Sequence, residues 1–431
     1  MEPPIRTFGG LQLKSIFRRL RARLVLSIDS YFRTDRALAR SLRLDIEVAS
    51  RLSQFRYART PQHLVVPTVG MGNIGDQAML ESFFRRTTFP VTLLVQHKDG
   101  HEVPADARGR VTVAVTPDLY ATRPWVRRKA RRKVASLIAR HSTLSIIGAD
   151  VMDGGYDAAQ SAIRFGMLCM GNELGTATRV LGFSWNGAPP ESVSIALRSS
   201  QPKSLLCLRD PHSLARLGGD DSFNLVQVSD MAFTMDEVAP YYCISTWLRE
   251  QAGKPVVVMN VSGLLARVGS MSSDYVDIAK HLLQRGCSVV VLPHVIREGD
   301  DDLAASAELM FRLGSSPHVY LIENLLTPQQ VAWVARQASA VLTGRMHLAI
   351  LSINQGVPAA ILATQGKVSG LLDYLDMPEL LLEPEPGFAI AAIRALDQIL
   401  DDPSIRIRLE LHLPELRALA ELNFTGLEGA R

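Results

Sequence analysis

The chain has little cysteine and no long apolar run, and each shortage excludes a class of protein. Its four cysteines are scattered, with no Cys-x-x-Cys pair and no Cys/His spacing that suits a zinc ligand set. This pattern excludes a disulfide scaffold and indicates buried thiols in a reducing compartment. No apolar stretch is long enough to span a bilayer, and the N-terminus lacks the apolar core of a secretory signal. We therefore expect a cytoplasmic protein without a metal.

Neither positive nor negative charge predominates over the whole chain, but positive charge is concentrated locally. The formal net charge is only +4 over 431 residues, which gives no reason to expect nucleic acid as a partner. Arginines alternate with leucines at helical spacing in residues 1–60, and Arg127–Lys133 is a second basic cluster. Such a segment either packs on the protein body with a solvated basic face or lies on an anionic membrane. The second alternative predicts peripheral contact with the inner face of the membrane.

Short apolar runs that alternate with longer helical stretches predict an α/β fold. The runs are continuous rather than alternating, as expected for strands buried on both faces of a parallel sheet. They form two series, which predict two Rossmann-like domains facing each other across a cleft. The expected boundaries are a basic helical extension over 1–60, a first domain over 61–238, a junction over 239–254, a second domain over 255–403 and a helical C-terminal segment over 404–431.

A glycine-rich loop follows the first predicted strand, in the sequence Gly70-Met71-Gly72-Asn73-Ile74-Gly75-Asp76. Its glycines allow a sharp turn and a close backbone approach to a ligand. The glycine spacing also fits a dinucleotide loop, but a carboxylate at Asp76 would repel a pyrophosphate. Asn73 can orient a hydroxyl and Asp76 can accept a proton, although an aspartate here can equally serve as a helix cap.

A second polar segment, Thr343-Gly344-Arg345-Met346-His347, follows a strand of the second series. Arg345 and His347 at a helix start suit an oxyanion, because the guanidinium binds carboxylate or phosphate and the imidazole transfers protons near neutral pH. The alternative is an arginine paired to a buried acid beside a core histidine.

Other strand ends carry polar residues that gain weight from their shared placement, since parallel sheets hold ligands at the carboxyl ends of their strands. On this ground we expect two sets of contacts. An anionic donor substrate would be bound by Arg209, Asn260, Ser262 and Lys367, and a hydroxylated acceptor substrate by Asp150 and Asp153.

In this order the motifs resemble the polysaccharide pyruvyl transferase family. Residues 72–76 match its GNxGD motif and residues 345–347 its RxH motif; Arg209-Asp210 with Ser213 and Gly356-Val357-Pro358 with Lys367 and Gly370 match two further segments. The resemblance covers roughly residues 63–375 and implies a GT-B-like pair of Rossmann-like domains. The run Gly148-Ala149-Asp150 is less glycine-rich than in many relatives, and the basic extension lies outside the family core.

The resemblance implies phosphoenolpyruvate as co-substrate, no cofactor, and a glycan or lipid-linked glycan as acceptor. Pyruvate would become a ketal on two sugar hydroxyls, with Arg345, His347 and Arg209 holding the anionic donor. His347 would be the acid, and Asp76 with Asn73 would activate the acceptor hydroxyl. The alternatives are a GT-B nucleotide-sugar glycosyltransferase and a non-catalytic glycan-binding relative.

Overall fold

The computed structural model describes residues 30–55, 57, 59–266, 271–363 and 367–427. The expected basic extension therefore lies outside the described residues up to residue 29. What is described contains two parallel sheets flanked by helices, which is the predicted α/β class.

The first sheet has seven parallel strands in the order β3-β2-β1-β4-β5-β6-β7. Their bounds are β1 Thr60–Val66, β2 Val91–Val95, β3 Val111–Val115, β4 His141–Ala149, β5 Ala177–Phe183, β6 Leu205–Leu208 and β7 Leu225–Gln227.

The second sheet has six parallel strands in the order β12-β9-β8-β13-β14-β15. Their bounds are β8 Val256–Met259, β9 Ser288–Val291, β12 Val319–Leu321, β13 Ala340–Thr343, β14 Ala359–Leu362 and β15 Leu381–Leu382. A separate antiparallel hairpin pairs β10 (Ile296–Arg297) with β11 (Asp300–Asp301).

Helices cover the faces of both sheets. Those of the first domain are α1 Asp35–Ser53, α2 Ile74–Arg86, α3 Pro124–Arg140, α4 Ala158–Leu174, α5 Glu191–Ser199 and α6 Pro211–Leu217. The rest are α7 Ser245–Glu250, α8 Gly263–Ala266, α9 Met271–Gln284, α10 Asp302–Leu313, α11 Pro328–Arg336, α12 Met346–Ile353, α13 Lys367–Tyr374, α14 Ala389–Asp401 and α15 Pro403–Glu421.

Both polar segments lie where the strand order reverses. In the first sheet β1 lies between β2 and β4, and in the second β8 lies between β9 and β13. Loops after neighbouring strands leave in opposite directions at such a point, which opens a crevice at the carboxyl edge. The glycine loop follows β1 and the segment 343–347 follows β13, so each segment lies at the crevice of its own sheet.

The glycine loop contacts the second domain through its backbone. The Ile296 amide donates to the Gly72 carbonyl at 2.8 Å, and the Ile74 amide donates to the His294 carbonyl at 3.2 Å. An antiparallel bridge also pairs Asn73 with Val295. The two domains are therefore joined by backbone hydrogen bonds beside the predicted site.

The C-terminal helix connects the domains a second time. Most of α15 packs on the second domain, where Arg417 Nε donates to Asn354 Oδ1 at 2.8 Å. The chain then enters the first domain, where Phe424 and Leu427 are buried in the core and Asn423 Nδ2 donates to the Ser229 carbonyl at 3.0 Å.

Candidate functional site

The glycine loop needs its glycines for conformation and for close approach. Gly70 and Gly72 have φ of +71° and +70°. A Cβ on Gly72 would lie 2.0 Å from the Ile296 carbonyl oxygen, which no side chain can occupy. The loop is therefore fitted to this one position against the second domain.

Asp76 is a buried carboxylate and does not cap α2. The cap is Asn73, whose Oδ1 accepts a hydrogen bond from the Gly75 amide at 2.9 Å. Asp76 is 8 % exposed, and its Oδ2 accepts from the Gly70 amide at 3.1 Å. Burial raises the pKa of Asp76, although nearby His347, Thr68 and the Gly70 amide oppose the shift. A carboxyl of this kind is a candidate for proton transfer.

His347 extends from the second domain into the first. It lies in the first turn of α12, which begins at Met346 with Arg345 at the N-cap. Its ring packs directly on Gly75, where a Cβ would lie 2.3 Å from Nδ1. On the other side, Nε2 is 3.4 Å from Asp230 Oδ2. Only glycine at position 75 leaves room for the imidazole.

Asp230 joins His347 to Arg209. Arg209 Nη1 donates to Asp230 Oδ2 at 2.7 Å and Arg209 Nε donates to Ser184 Oγ at 2.9 Å. Both charged side chains are almost fully buried. Burial by itself would raise the pKa of Asp230, but His347 and Arg209 hold it well below its usual range. The buried carboxylate is therefore ionised and orients the guanidinium of Arg209 and the imidazole of His347.

Arg345 is held by two carboxylates. It donates through Nη1 to Asp300 Oδ2 at 3.1 Å and through Nη2 to Asp302 Oδ1 at 2.6 Å, and it has a further bond to Asp300 Oδ1. Burial opposes the charge, but these contacts raise the pKa of the guanidinium. Asp300 also accepts from Arg297 at 3.2 Å, so one carboxylate bridges two arginines.

Asp302 holds Arg345 and the neighbouring loops of the second domain in place. It is fully buried and accepts from the Gly263 amide at 2.8 Å and from the His294 and Val295 amides, each at 3.1 Å. Asn260 Nδ2 donates to it at 2.9 Å. A carboxylate with so many donors fixes the loops after β8 and β9 relative to Arg345.

His294 is a buried imidazole beside these charges. It is 1 % exposed, and neither ring nitrogen has a hydrogen-bond partner among the residues that the structure describes. Burial lowers the pKa of His294 well below its usual value, and His347 and Arg345 lower it further. The ring is thus a neutral imidazole beside the cleft, and both of its unused nitrogens are buried.

These side chains meet in one interdomain cleft of about 390 Å³. The residues of the cleft that the sequence predicted are Asn73, Asp76, Asp150, Arg209, Arg345 and His347. Tyr156, His294 and Arg297 line it as well. The structure thus brings the glycine loop and the segment 343–347 to opposite walls of a single cavity.

Other predicted residues lie elsewhere. Asn260 and Ser262 are fully buried and line no part of the cleft; Asn260 binds Asp302 from within the second domain. Asp153 does not line the cleft either, and its Oδ1 accepts from the Gly155 amide at 2.9 Å. The side chain of Lys367 lies outside the described residues.

The sequence reasoning missed Asp230 altogether and gave no role to His294, Arg297 or Tyr156. Asp230 follows β7 and His294 follows β9, so both satisfy the rule that polar residues after parallel strands gather at one edge. That rule was the available signal. Within the described residues, no group of three or more His, Cys, Asp or Glu side chains is arranged to hold a metal ion.

The sequence profile of the family named polysaccharide pyruvyl transferase matches residues 73–366. No curated protein matches the chain. Among solved structures, a putative UDP-N-acetylglucosamine 2-epimerase from Listeria monocytogenes has a TM-score of 0.59 at 11 % identity, over 84 % of this chain and 94 % of that one.

Two further solved structures have the same architecture. Sucrose-phosphate synthase from Thermosynechococcus elongatus has a TM-score of 0.54 at 13 % identity, over 85 % of this chain and 98 % of that one. UDP-GlcNAc 2-epimerase from Neisseria meningitidis, bound to UDP-GlcNAc, has a TM-score of 0.55 at 11 % identity, over 85 % and 99 %. At such low identity the likeness concerns the fold alone, and it confirms the predicted GT-B-like arrangement.

Proposed function

Because the chain belongs to the polysaccharide pyruvyl transferase family, we propose that it moves pyruvate from phosphoenolpyruvate onto two hydroxyls of a sugar. The product is a cyclic ketal, and phosphate is released. No cofactor takes part in this scheme. One observation supports it above the others: Asp76 of the first domain and His347 of the second line the same cleft.

The donor substrate is an anion and needs positively charged side chains to bind it. In the cleft as it stands, the arginines of the second domain are already paired with carboxylates. Asp302 is buried and has many donors, whereas Asp300 lies in the β10–β11 hairpin and lines the cleft. We propose that the donor carboxylate or phosphate takes the place of Asp300 on Arg345 and Arg297. Arg209 and the neutral ring of His294 supply further hydrogen bonds from the opposite sides of the cavity.

His347 is the proposed acid. Its contact with Asp230 at 3.4 Å orients the imidazole in the cleft, where a histidine can deliver the proton that the first step requires. This proton goes to the methylene carbon of the enol and leaves an oxocarbenium-like centre at the carbon that carries the phosphate.

Asp76 is the proposed base, with Asn73 and Asp150 on the acceptor side of the cleft. Its raised pKa brings it closer to the working pH of a general base. A sugar hydroxyl attacks the cationic carbon as its proton passes to Asp76. The bond from this carbon to the phosphate oxygen breaks, and the second hydroxyl closes the ring. Of the two hydroxyl protons lost overall, one ends in the new methyl group and the other on phosphate.

The test measures phosphate release from phosphoenolpyruvate with a panel of glycan acceptors. Wild-type protein is expected to release phosphate with at least one acceptor, and His347→Ala is expected to lose about 10²- to 10⁴-fold in kcat, the range for a general acid. His212→Ala is the matched control, because His212 is a half-exposed histidine paired with Asp373 outside the cleft.

Full activity of His347→Ala would remove the histidine from the mechanism. Thermal stabilisation by a UDP sugar, with none by phosphoenolpyruvate, would instead favour the glycosyltransferase alternative. Glycan binding without any turnover would favour a non-catalytic relative.

We further propose that the acceptor is a glycan carried on a lipid and that the enzyme works at the anionic inner surface of a membrane. Among the described residues, none of the helices is long and apolar enough to cross a bilayer. Any membrane contact made by this part of the chain is then peripheral.

A further inference from the structure

Helices α1 and α3 together form a basic surface on the first domain. We use the term basic face for their exposed cationic side chains, which are Arg36, Arg40, Arg43, Arg128, Lys129 and Arg132. The opposite sides of both helices are buried: Leu38, Leu42 and Ala49 of α1 and Ala130 and Val134 of α3 lie in the core. The cationic side chains therefore face outward by the geometry of the helices.

Asp45 fixes the two helices to each other. This buried carboxylate accepts from Arg127 Nη2 at 3.2 Å and from Arg131 Nε. Two arginines of the basic cluster predicted from the sequence are thus structural and partly neutralised. The neighbouring Arg128, Lys129 and Arg132 are exposed, so the cluster divides into an inner pair and an outer group.

Little acid opposes the outer group. Helix α3 contains no aspartate or glutamate along its whole length. On α1, Glu47 is paired with Arg51 and Asp35 accepts from the Ser192 amide at 3.0 Å. The basic face thus has a high local positive charge on a chain whose net charge is only +4.

Aromatic rings protrude beside these charges. Trp125 at the start of α3 is 62 % exposed and Tyr31 before α1 is 58 % exposed. Trp125 is held by an edge contact with Phe32 at 5.6 Å between ring centroids. Exposed indole and phenol rings next to lysine and arginine are typical of a surface that sits at the headgroup level of a bilayer.

From this combination we infer that the basic face is the surface by which the protein docks on an anionic phospholipid bilayer. The inference deepens the proposed function, on which it rests for its purpose, by naming where the enzyme meets the membrane of its lipid-linked acceptor. Lys and Arg supply the electrostatic attraction, and the rings of Trp125 and Tyr31 enter the interface. Nucleic acid is the alternative partner for a basic surface, and the test below distinguishes it from a bilayer.

The experiment is flotation of the full chain with vesicles of phosphatidylcholine mixed with phosphatidylglycerol, and with vesicles of phosphatidylcholine alone. Wild-type protein is expected to float with the anionic vesicles only, and less at high salt. The triple variant Arg128→Ala, Lys129→Ala, Arg132→Ala should bind the anionic vesicles roughly 100-fold more weakly, from about a factor of five per basic residue at the surface.

Two further variants keep the result specific. The triple variant Lys280→Ala, Arg336→Ala, Arg394→Ala removes equal charge from exposed positions of the second domain and should bind as wild type does. Trp125→Ser leaves the charge unchanged and should still weaken binding. A further variant with alanine at Arg18, Arg19, Arg21 and Arg23 measures what residues 1–29 add.

Equal loss in both triple variants would overturn the inference, because net charge and not the basic face would then drive binding. Retention on single-stranded nucleic acid without flotation would overturn it in favour of that partner. Phosphate release with a water-soluble acceptor is measured in parallel and should be unchanged in the basic-face variant. Failure of flotation with normal turnover thus rejects only the membrane surface, and flotation without turnover rejects only the proposed transfer.

Discussion

The two walls of the cleft differ in how far their charged side chains are compensated by neighbouring groups. On the second-domain wall, Arg345 is matched by Asp300 and Asp302, so its charge is fully compensated. On the first-domain wall, Asp76 has no ion-pair partner within the described residues; its carboxylate is stabilised by the Gly70 amide, by Thr68 and by attraction to His347. The second-domain wall has an ionic network around Arg345, whereas Asp76 on the first-domain wall is a poorly compensated carboxyl beside the separate ion pair of Arg209 with Asp230.

This difference distinguishes charged residues that hold the site together from residues that can transfer a proton. A buried charge with several partners resists a change of protonation state, because each state change would break those contacts. A buried carboxyl with few partners has a raised pKa and gains or loses a proton at lower cost. By this criterion Asp302 is scaffold, and Asp76 is a group that can react.

The largest effect is expected at Asp76. Asp76→Asn should lower kcat by about 10²- to 10⁴-fold, the range for a general base, with donor binding retained. Since the folded-state pKa of Asp76 lies above its unfolded value, stability falls as pH rises through the window between them. The variant should therefore be at least as stable as wild type at pH 7 in thermal unfolding. Lost donor binding would instead place Asp76 on the donor side.

The same substitution at Asp302 should do the reverse. Asp302→Asn removes the charge beneath Arg345 and sets an amide against backbone donors, so we expect a loss of about 3–5 kcal/mol in unfolding free energy, as for a broken buried ion pair. Urea unfolding followed by circular dichroism measures it. A stable Asp302→Asn protein would show that the two walls are alike.

Asp300 should behave differently from Asp302 although both bind the same guanidinium. If the donor replaces Asp300 on Arg345, Asp300→Asn removes the competitor, and the KM for phosphoenolpyruvate should fall by about tenfold, or about 1.4 kcal/mol. A rise in KM would mean that Asp300 positions Arg345 for the donor and does not compete with it.

Gly75→Ala tests how the walls meet. The added methyl would lie 2.3 Å from His347 Nδ1, so the imidazole must move, and we expect about 1–3 kcal/mol of destabilisation together with a lower kcat. The control is Gly253→Ala, at a glycine with open space around its Cβ position; because its φ is +85°, it can lose stability but should keep its kcat.

The smallest effect is the response to acid. Burial lowers the pKa of His63 and of His101 to about 4, and it lowers the pKa of His294 well below its usual value. The unfolded chain then binds more protons than the folded one below about pH 6.5, so stability is lost as pH falls from about 6.5 towards 4. His294→Gln should flatten the plot of melting temperature against pH, and His212→Gln should not.

Much of the fold could be predicted because buried parallel strands have continuous apolar sequences that are easy to recognise. The continuous apolar runs at Val91–Val95 and Val111–Val115 are examples, and both are strands of the first sheet. The helix starts lie within the two polar segments themselves, at Ile74 and at Met346. The strand-to-helix turns are tighter than composition indicates, since Asn73 and Arg345 are themselves the N-caps.

The site was predictable to the extent that it follows strand ends. Which of these polar residues face the cleft depends on packing that no local pattern contains. Asn260 and Arg209 looked alike as strand-end polar residues, yet Asn260 points to Asp302 within its own domain and Arg209 reaches the cleft. The partner of His347 is Asp230, more than one hundred residues earlier in the chain, and only the fold brings the two together.

The return of the C-terminal helix determines how the molecule can move. The chain passes between the domains once after β7 and again after α15, where Phe424 and Leu427 enter the core of the first domain. Two covalent crossings define an axis, and rotation about it is the motion that stretches neither crossing. Any opening of the cleft about this axis would have to break the interdomain hydrogen bonds between Ile296 and Gly72 and between Ile74 and His294.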